Sequence, residues 1–300
     1  MSRANAVVQR TRGPVVPLNI CFDDQARVDF GAVRSYVDWL CENGAPALLL
    51  TYGSSEYAYL SDDDVWRLTA EIAGVNAGRA LFVAATGWWN VPRCRDYLRH
   101  ADAVGADAVK VQVHPSYPTG RDAYLRLFDL IETASDIPLW LLDPPLATGI
   151  ELAARDNVVG AKVHDTSEYH TMTRETLDLD FATVCAGQMR SMVFGYLLGS
   201  PAYLCTVAPF APRIAFDFFA ELEARRYDDA MATACRYEDP WLKEAVETGW
   251  IHAIKEAIRQ RGLYPNGDPC PPQPATTPEQ KARVAKALED VFGLLPVSPL

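Results

Sequence analysis

Positive charge is scarce in this chain of 300 residues. Its 28 lysines and arginines are outnumbered by 39 aspartates and glutamates, which gives a net charge of −11. Because binding to phosphates needs a basic surface, we do not expect nucleic acid as a partner. Only six of the basic residues are lysines. A lysine inside an apolar segment is therefore conspicuous.

Long apolar runs and paired cysteines are also missing. No stretch approaches the roughly 18 uncharged apolar residues of a membrane span. Residues 1–13 lack the apolar segment of a secretory signal. The seven cysteines are scattered and form no CxxC pair, so neither a disulfide framework nor a zinc ribbon is indicated. The sequence predicts a cytoplasmic protein with no membrane partner.

A regular alternation of short apolar runs and amphipathic stretches dominates the first two thirds of the chain. Helical patterns separate the apolar runs, and no GxGxxG follows the first of them, which disfavours a doubly wound open sheet. Eight strands, each followed by a helix, predict an α/β fold of the parallel (β/α)8 TIM barrel type. The candidate strands are Pro14–Ile20, Pro46–Thr51, Ala80–Ala85, Ala108–Val113, Pro138–Leu142, Val158–His164, Ala182–Ala186 and Ala202–Val207.

The domain organisation follows from where this alternation begins and ends. We expect an N-terminal tail over residues 1–13 and the barrel over residues 14–223. The remainder, residues 224–300, is mostly helical in pattern and contains a proline-rich loop. It is predicted to be a helical extension packed on the barrel.

The strongest chemical signal is a lysine inside an apolar strand. Because side chains alternate along a strand, Gly160, Lys162 and His164 share one face, which in a barrel points to the interior. A desolvated lysine has a lowered pKa and becomes a nucleophilic amine suited to Schiff-base chemistry. The alternative is a lysine in a salt bridge at a strand edge, and the spacing alone leaves both open.

Several short motifs occur in the order of a known family. They are Pro14–Leu18 (PVVPL), residues 52–61 (YGSSEYAYLS), Gly105–Ala108 (GADA), Ile137-Pro138, Val158–Lys162 (VVGAK) and Ala186-Gly187. On these motifs the chain resembles the dihydrodipicolinate synthase / N-acetylneuraminate lyase family over residues 14–295.

The resemblance implies a set of site residues. Lys162 matches the imine-forming lysine, and the backbone of Gly53, Ser54 and Ser55 matches the loop that holds the carboxylate of a 2-oxo acid. Tyr117 matches a relay tyrosine that a neighbouring subunit contributes, which implies a homo-oligomer. This chemistry needs no cofactor, and none is expected.

The departures from the family pattern concern proton transfer and a second carboxylate. Leu142 stands where the family has a relay tyrosine, and Ala147 where the synthases have an arginine. His164 shares a strand face with Lys162 and is the candidate to replace the tyrosine, because histidine acts as acid or base near neutrality. Leu204, on the eighth strand, is expected to line the substrate site.

We therefore expect a lyase, either an aldolase or a hydro-lyase, that acts on a 2-oxo acid and is not a true dihydrodipicolinate synthase. The alternative is a catalytically impaired family member that binds a keto acid as a sensor or structural protein. A metal-dependent barrel hydrolase is disfavoured, because the sequence has neither HxH nor HExxH spacing. No metal ligand is predicted.

Overall fold

The computed structural model describes residues 2–113, 120–295 and 297. Eight parallel strands form a closed barrel in which each strand pairs with the next and the last pairs with the first. The predicted (β/α)8 TIM barrel is thereby confirmed. The strands are β1 (Gly13–Pro17), β2 (Ala47–Leu49), β3 (Leu81–Ala85), β4 (Ala108–Val111), β5 (Leu139–Leu142), β6 (Val158–Val163), β7 (Ala182–Cys185) and β8 (Ala202–Leu204).

One helix precedes the barrel, and the others alternate with its strands. Side chains cap several of these helices: Ser61 and Asp64 form a reciprocal capping box at one N-terminus, and Asp29 accepts a hydrogen bond from the Ala32 amide at another. The helices are α1 (Arg3–Arg10), α2 (Phe30–Glu42), α3 (Asp62–Asn76), α4 (Val91–Ala103), α5 (Arg121–Ile131), α6 (Leu146–Ala153), α7 (Thr166–Glu175), α8 (Gln188–Leu198) and α9 (Pro212–Glu223).

Helix α1 lies within residues 1–13, which the sequence patterns indicated only as a tail. The Ser2 side chain accepts a hydrogen bond from the Asn5 amide and caps the helix. Val7 is buried and joins the apolar cluster inside the barrel with Val15 and Leu81. Burial of this side chain helps to hold α1 against the barrel. The helix is hard to find in the sequence because it is short and has only one fully buried side chain.

Several paired strands are shorter than the apolar runs that predict them. The paired part of β1 ends at Pro17, although Leu18 and Ile20 are also buried. Apolar content reports burial, whereas strand assignment requires ladder hydrogen bonds between neighbours. The buried residues after the paired segments carry the chain into the loops at the carboxyl end of the barrel.

An irregularity in β6 sets which of its residues face the interior. Leu139 of β5 pairs with Val158, but Trp140 pairs with Gly160, so Val159 is an extra residue in β6. A Cβ on Gly160 would lie 3.0 Å from the Trp140 indole nitrogen. Glycine at this position therefore leaves room for the buried indole.

The C-terminal segment is helical, as the sequence predicts. Its elements are α10 (Tyr227–Thr233), a π-helical turn (Ala234–Glu238), α11 (Asp239–Thr248), α12 (Trp250–Gln260) and α13 (Pro278–Phe292). Helices α11, α12 and α13 pack on one another, and α10 packs on α9 of the barrel. None of the helices in the described part of the chain is both long and apolar enough to cross a membrane.

Candidate active site

A cavity of about 600 Å³ lies at the carboxyl ends of the strands. In barrels of this type the carboxyl end is where catalytic residues are found. The barrel contributes its floor and most of its wall, and the C-terminal extension contributes the apolar residues Leu242, Val246 and Trp250. The extension thus encloses the site as well as packing on the barrel.

Lys162 projects from β6 into this cavity and is only 4 % exposed. Its Nζ donates to Thr51 Oγ1 at 3.4 Å. Burial lowers the pKa of Lys162 to about 8, against the opposing effect of the Asp143 carboxylate. At pH 7 about one tenth of Lys162 is therefore the neutral, nucleophilic amine, far more than for an ordinary lysine. Lys162 forms no salt bridge with any residue that the structure describes. The alternative considered from the sequence, a lysine in a salt bridge at a strand edge, is therefore not what the described residues show.

A second lysine, Lys110, lies inside the barrel on β4 and is completely buried. Its Nζ donates to the same Thr51 Oγ1 at 3.1 Å. Burial and the nearby charge of Lys162 lower the pKa of Lys110 well below that of an ordinary lysine, and Asp143 opposes this shift. The sequence predictions did not place Lys110 in the site. The signal that could have found it is a rare lysine in an apolar strand.

His164 and Asp143 form a pair at the rim of the barrel. The His164 Nδ1 lies 2.6 Å from Asp143 Oδ2, and the His164 amide donates to Asp143 Oδ1 at 2.8 Å. Burial raises the pKa of Asp143, but the hydrogen bonds from His164 outweigh this effect, and the pKa is lowered. The carboxylate orients the imidazole, whose ring lines the cavity together with Lys162.

Leu142 is the neighbour of Lys162 in the barrel. The two residues are register partners on β5 and β6, and both side chains line the cavity. A leucine here provides an apolar wall and no proton. Leu204 of β8 lines the cavity as well. Its contact with substrate stays a prediction.

The loop after β2 presents two of its three predicted residues to the cavity. Gly53 and Ser54 line it, whereas Ser55 is buried beneath. The Ser55 amide donates to the Thr51 carbonyl at 3.0 Å, and its hydroxyl donates to the Leu18 carbonyl at 2.6 Å. Ser55 therefore shapes the loop. The amides of Gly53 and Ser54 donate no hydrogen bond within the described part of the chain. Their N–H groups can therefore donate hydrogen bonds to an anion.

A buried ion pair fixes the conformation of this loop. Glu56 follows Ser55 with a positive φ of 51°, and its Oε2 lies 2.7 Å from the Lys255 Nζ of α12. The other carboxylate oxygen accepts a hydrogen bond from the Cys270 amide at 2.8 Å. Because both charged groups are buried, the pair ties the loop after β2 to the C-terminal extension.

Gln188 and Thr206 form a polar part of the cavity wall. Gln188 accepts hydrogen bonds from the Thr206 amide and hydroxyl at 3.0 and 3.1 Å. Glu238 of the C-terminal extension accepts from the Met189 and Arg190 amides at the start of α8. Burial raises the pKa of Glu238 to about 7. These contacts hold the N-terminus of α8 at the site.

The sequence prediction for Tyr117 lies outside the described residues. Among those that are described, no group of three histidine, cysteine or carboxylate side chains is arranged to hold a metal ion.

The fold and the cavity define a (β/α)8-barrel protein with a candidate small-molecule site that contains a buried lysine. The chain belongs to the dihydrodipicolinate synthetase family, which it matches over residues 10–291. Membership confirms the resemblance found in the sequence.

Relatives within this family carry different reaction names. A probable 5-dehydro-4-deoxyglucarate dehydratase of Streptomyces avermitilis is 26% identical over 275 residues, covering 86% of this chain and 82% of that protein. A probable 2-dehydro-3-deoxy-D-pentonate aldolase of Escherichia coli is 24% identical, covering 97% and 100%. The crystal structure of dihydrodipicolinate synthase from Oceanobacillus iheyensis superposes with a TM-score of 0.86 at 18% identity, covering 97% of this chain and all of that one. The family thus includes both dehydratases and aldolases.

Proposed function

We propose that this protein is a lyase that acts on a small 2-oxo acid through a Schiff base on Lys162. The observation that carries the proposal is the position of Lys162, a buried lysine with a pKa of about 8 inside a cavity at the carboxyl end of the barrel. The neutral amine attacks the C2 carbonyl, and loss of water leaves a protonated imine. This cation then accepts the electron pair released on C3 when the C3–C4 bond is cleaved or a C3–H bond is broken, and in a dehydration the resulting enamine expels the C4 hydroxyl with the electron pair of its C–O bond.

The substrate carboxylate belongs at the loop after β2. Gly53 and Ser54 line the same cavity as Lys162, and their amides, which donate no hydrogen bond within the described part of the chain, provide an anion site without a basic side chain. His164, oriented by Asp143, lines the same cavity and is the group that we assign to proton transfer on the substrate carbon chain. In this proposal Lys162 forms the imine, the loop amides hold the carboxylate, and His164 transfers the proton.

The remaining wall selects against a second carboxylate. Leu142, Leu204 and the apolar residues of the C-terminal extension line it, and no arginine is among the cavity residues that the structure describes. A second charged group on the substrate would be desolvated there without a partner. We therefore assign a substrate with a neutral or apolar distal part, and not the reaction of dihydrodipicolinate synthase.

The name of the pentonate aldolase supports an oxo sugar acid with a single carboxylate as the substrate class, because it denotes a dehydro-deoxy pentonate. The glucarate named for the dehydratase carries a second carboxylate, which the apolar wall of this cavity disfavours. Aldol cleavage and dehydration share the same imine, so the proposal covers either outcome. The assembly we propose is a cytoplasmic homo-oligomer in which Tyr117 of a neighbouring subunit approaches the site.

The test is a screen of 2-oxo acids and dehydro-deoxy sugar acids with analysis of both binding and products. Each compound is incubated with the protein and borohydride, and the intact mass shows which of them forms an imine. Positive compounds are then assayed without borohydride for pyruvate release or dehydration. Adducts without turnover would favour the alternative of a keto-acid-binding protein, and the absence of any adduct would refute the proposal. Lys162→Met is the negative control.

A further inference from the structure

The barrel interior contains two lysines joined by a single hydroxyl group. Thr51 Oγ1 lies 3.1 Å from Lys110 Nζ and 3.4 Å from Lys162 Nζ. Thr51 and Lys162 line the cavity, whereas Lys110 lies deeper and is completely buried. Substrate can therefore reach Lys162 and Thr51, and Lys110 acts on it only through them.

The surroundings of Lys110 favour its neutral form. On β5, the register partner of Lys110 is Trp140, whose side chain belongs to the apolar cluster inside the barrel. Within the described part of the chain no carboxylate lies at salt-bridge distance from Lys110, and the charged groups that act on it are Lys162 from β6 and Asp143 after β5. Its β3 partner, Ala85, is apolar. Since a buried amine next to a second cation resists protonation, a neutral Lys110 can accept the Thr51 hydroxyl proton in place of the hydrogen bond that it donates to Thr51 Oγ1.

We propose that Lys110, acting through Thr51, receives and returns the proton that the Lys162 nitrogen exchanges during imine formation. This inference rests on the proposed function of Lys162. It supplies the proton transfer for which the Leu142 position offers no group. Lys110 thus acts indirectly, because it exchanges the proton with Thr51 and does not contact the substrate. The Thr51 hydroxyl is the group in contact with the reacting nitrogen.

Imine formation by this route consumes only the substrate and one proton from solvent. Attack of the Lys162 lone pair on C2 forms the C–N bond, and the carbonyl π electrons move onto oxygen. The nitrogen gives its extra proton to Thr51 Oγ1 while the Thr51 hydroxyl proton moves to Lys110 Nζ. The same proton returns through Thr51 to the substrate oxygen. That oxygen takes a second proton from solvent and leaves as water as the nitrogen lone pair forms the C=N bond.

The experiment measures how fast the imine forms in Lys110→Met and Thr51→Val. Pyruvate is mixed with the protein, samples are quenched with borohydride at timed intervals, and the intact mass gives the rate at each pH from 6 to 9. Methionine matches the length of lysine in a dry site, and valine matches the shape of threonine. Lys286→Met and Thr183→Val are the controls, because they make the same chemical changes on α13 and on β7 away from the cavity.

The expected result is a plateau rate about 10²-fold lower in both variants. The pH midpoint should stay near that of the wild type, because Lys110 is neutral while Lys162 titrates. The double variant should be no slower than either single variant, since both changes interrupt one relay. A residue with only a structural role would not lower the plateau of the folded protein.

Two results would overturn the inference. One is a plateau that matches the wild type in Thr51→Val, a variant that tests the relay even where Lys110→Met fails to fold. The other is a raised pH midpoint with an unchanged plateau, which would make Lys110 an electrostatic neighbour and not a relay. If the wild type itself gives no adduct on Lys162, the proposed function fails. That failure is distinct from an adduct that forms equally fast in all variants.

Discussion

Replacing Glu56 with glutamine should destabilise the protein through the ion pair that joins the loop after β2 to α12. Glu56 and Lys255 are 3 % and 0 % exposed at their side chains, and their charged atoms are 2.7 Å apart. Glutamine keeps the shape and one acceptor, but it leaves the Lys255 ammonium without a counter-charge. Removing one partner of a buried pair costs about 3–5 kcal/mol in the free energy of unfolding.

The structure indicates the lower end of this range. The Lys255 ammonium also lies 4.5 Å from the centre of the Phe22 ring, which gives it a residual cation–π contact. We therefore expect a loss of about 3 kcal/mol, measured by urea unfolding followed by circular dichroism. Adding Lys255→Met to Glu56→Gln should restore most of this loss, because both buried charges are then absent.

Asp290→Asn is the matched control, since Asp290 pairs with Lys286 on the exposed face of α13. Its cost should stay below about 1 kcal/mol. A Glu56→Gln loss no larger than that of Asp290→Asn would refute the account of the pair. So would a double variant that is less stable than Glu56→Gln alone.

Three further predictions concern the chemistry. The rate of imine trapping should rise about tenfold from pH 6 to pH 7 and level off above the Lys162 pKa of about 8, because only the neutral amine attacks; a flat profile would contradict the assignment. His164→Asn should lower cleavage or dehydration of the substrate by about 10²–10⁴-fold while leaving imine trapping intact, and equal rates would remove His164 from the mechanism. With pyruvate and aspartate semialdehyde, turnover should fall about 10²-fold or more below the usual enzyme range of roughly 1–100 s⁻¹; turnover within that range would contradict the role given to Leu142.

The barrel could be predicted from the sequence because its signal is repeated and local. A short apolar run indicates each strand, and the helical spacing of apolar residues indicates each helix. Because the pattern repeats, a weak signal at one element is supported by the others. The position of Lys162 follows from the same alternation, combined with the order of motifs along the chain. Helix α1 is a single element with one buried side chain, Val7, and has no such support.

The contacts between distant segments could not be predicted. Glu56 and Lys255 are separated by 199 residues, and nothing in the local pattern of either segment indicates its partner. The hydrogen bonds that join Lys110 and Lys162 to Thr51 could not be predicted either. The alternation of side chains along a strand gives the face on which a residue lies, but not its distance from residues across the barrel. Ser55 shows the limit at short range: the two residues before it line the cavity, and hydrogen bonds to Thr51 and Leu18 turn it inward.

Peptide mapping after borohydride reduction with pyruvate tests the central claim most directly. The protein is digested and sequenced by tandem mass spectrometry, so the modified lysine is identified among the six in the chain. The account predicts one adduct, on Lys162, because it alone of the two interior lysines lines the cavity in the described structure. An adduct on Lys110, or a wild type that stays unmodified with every 2-oxo acid tried, would contradict it.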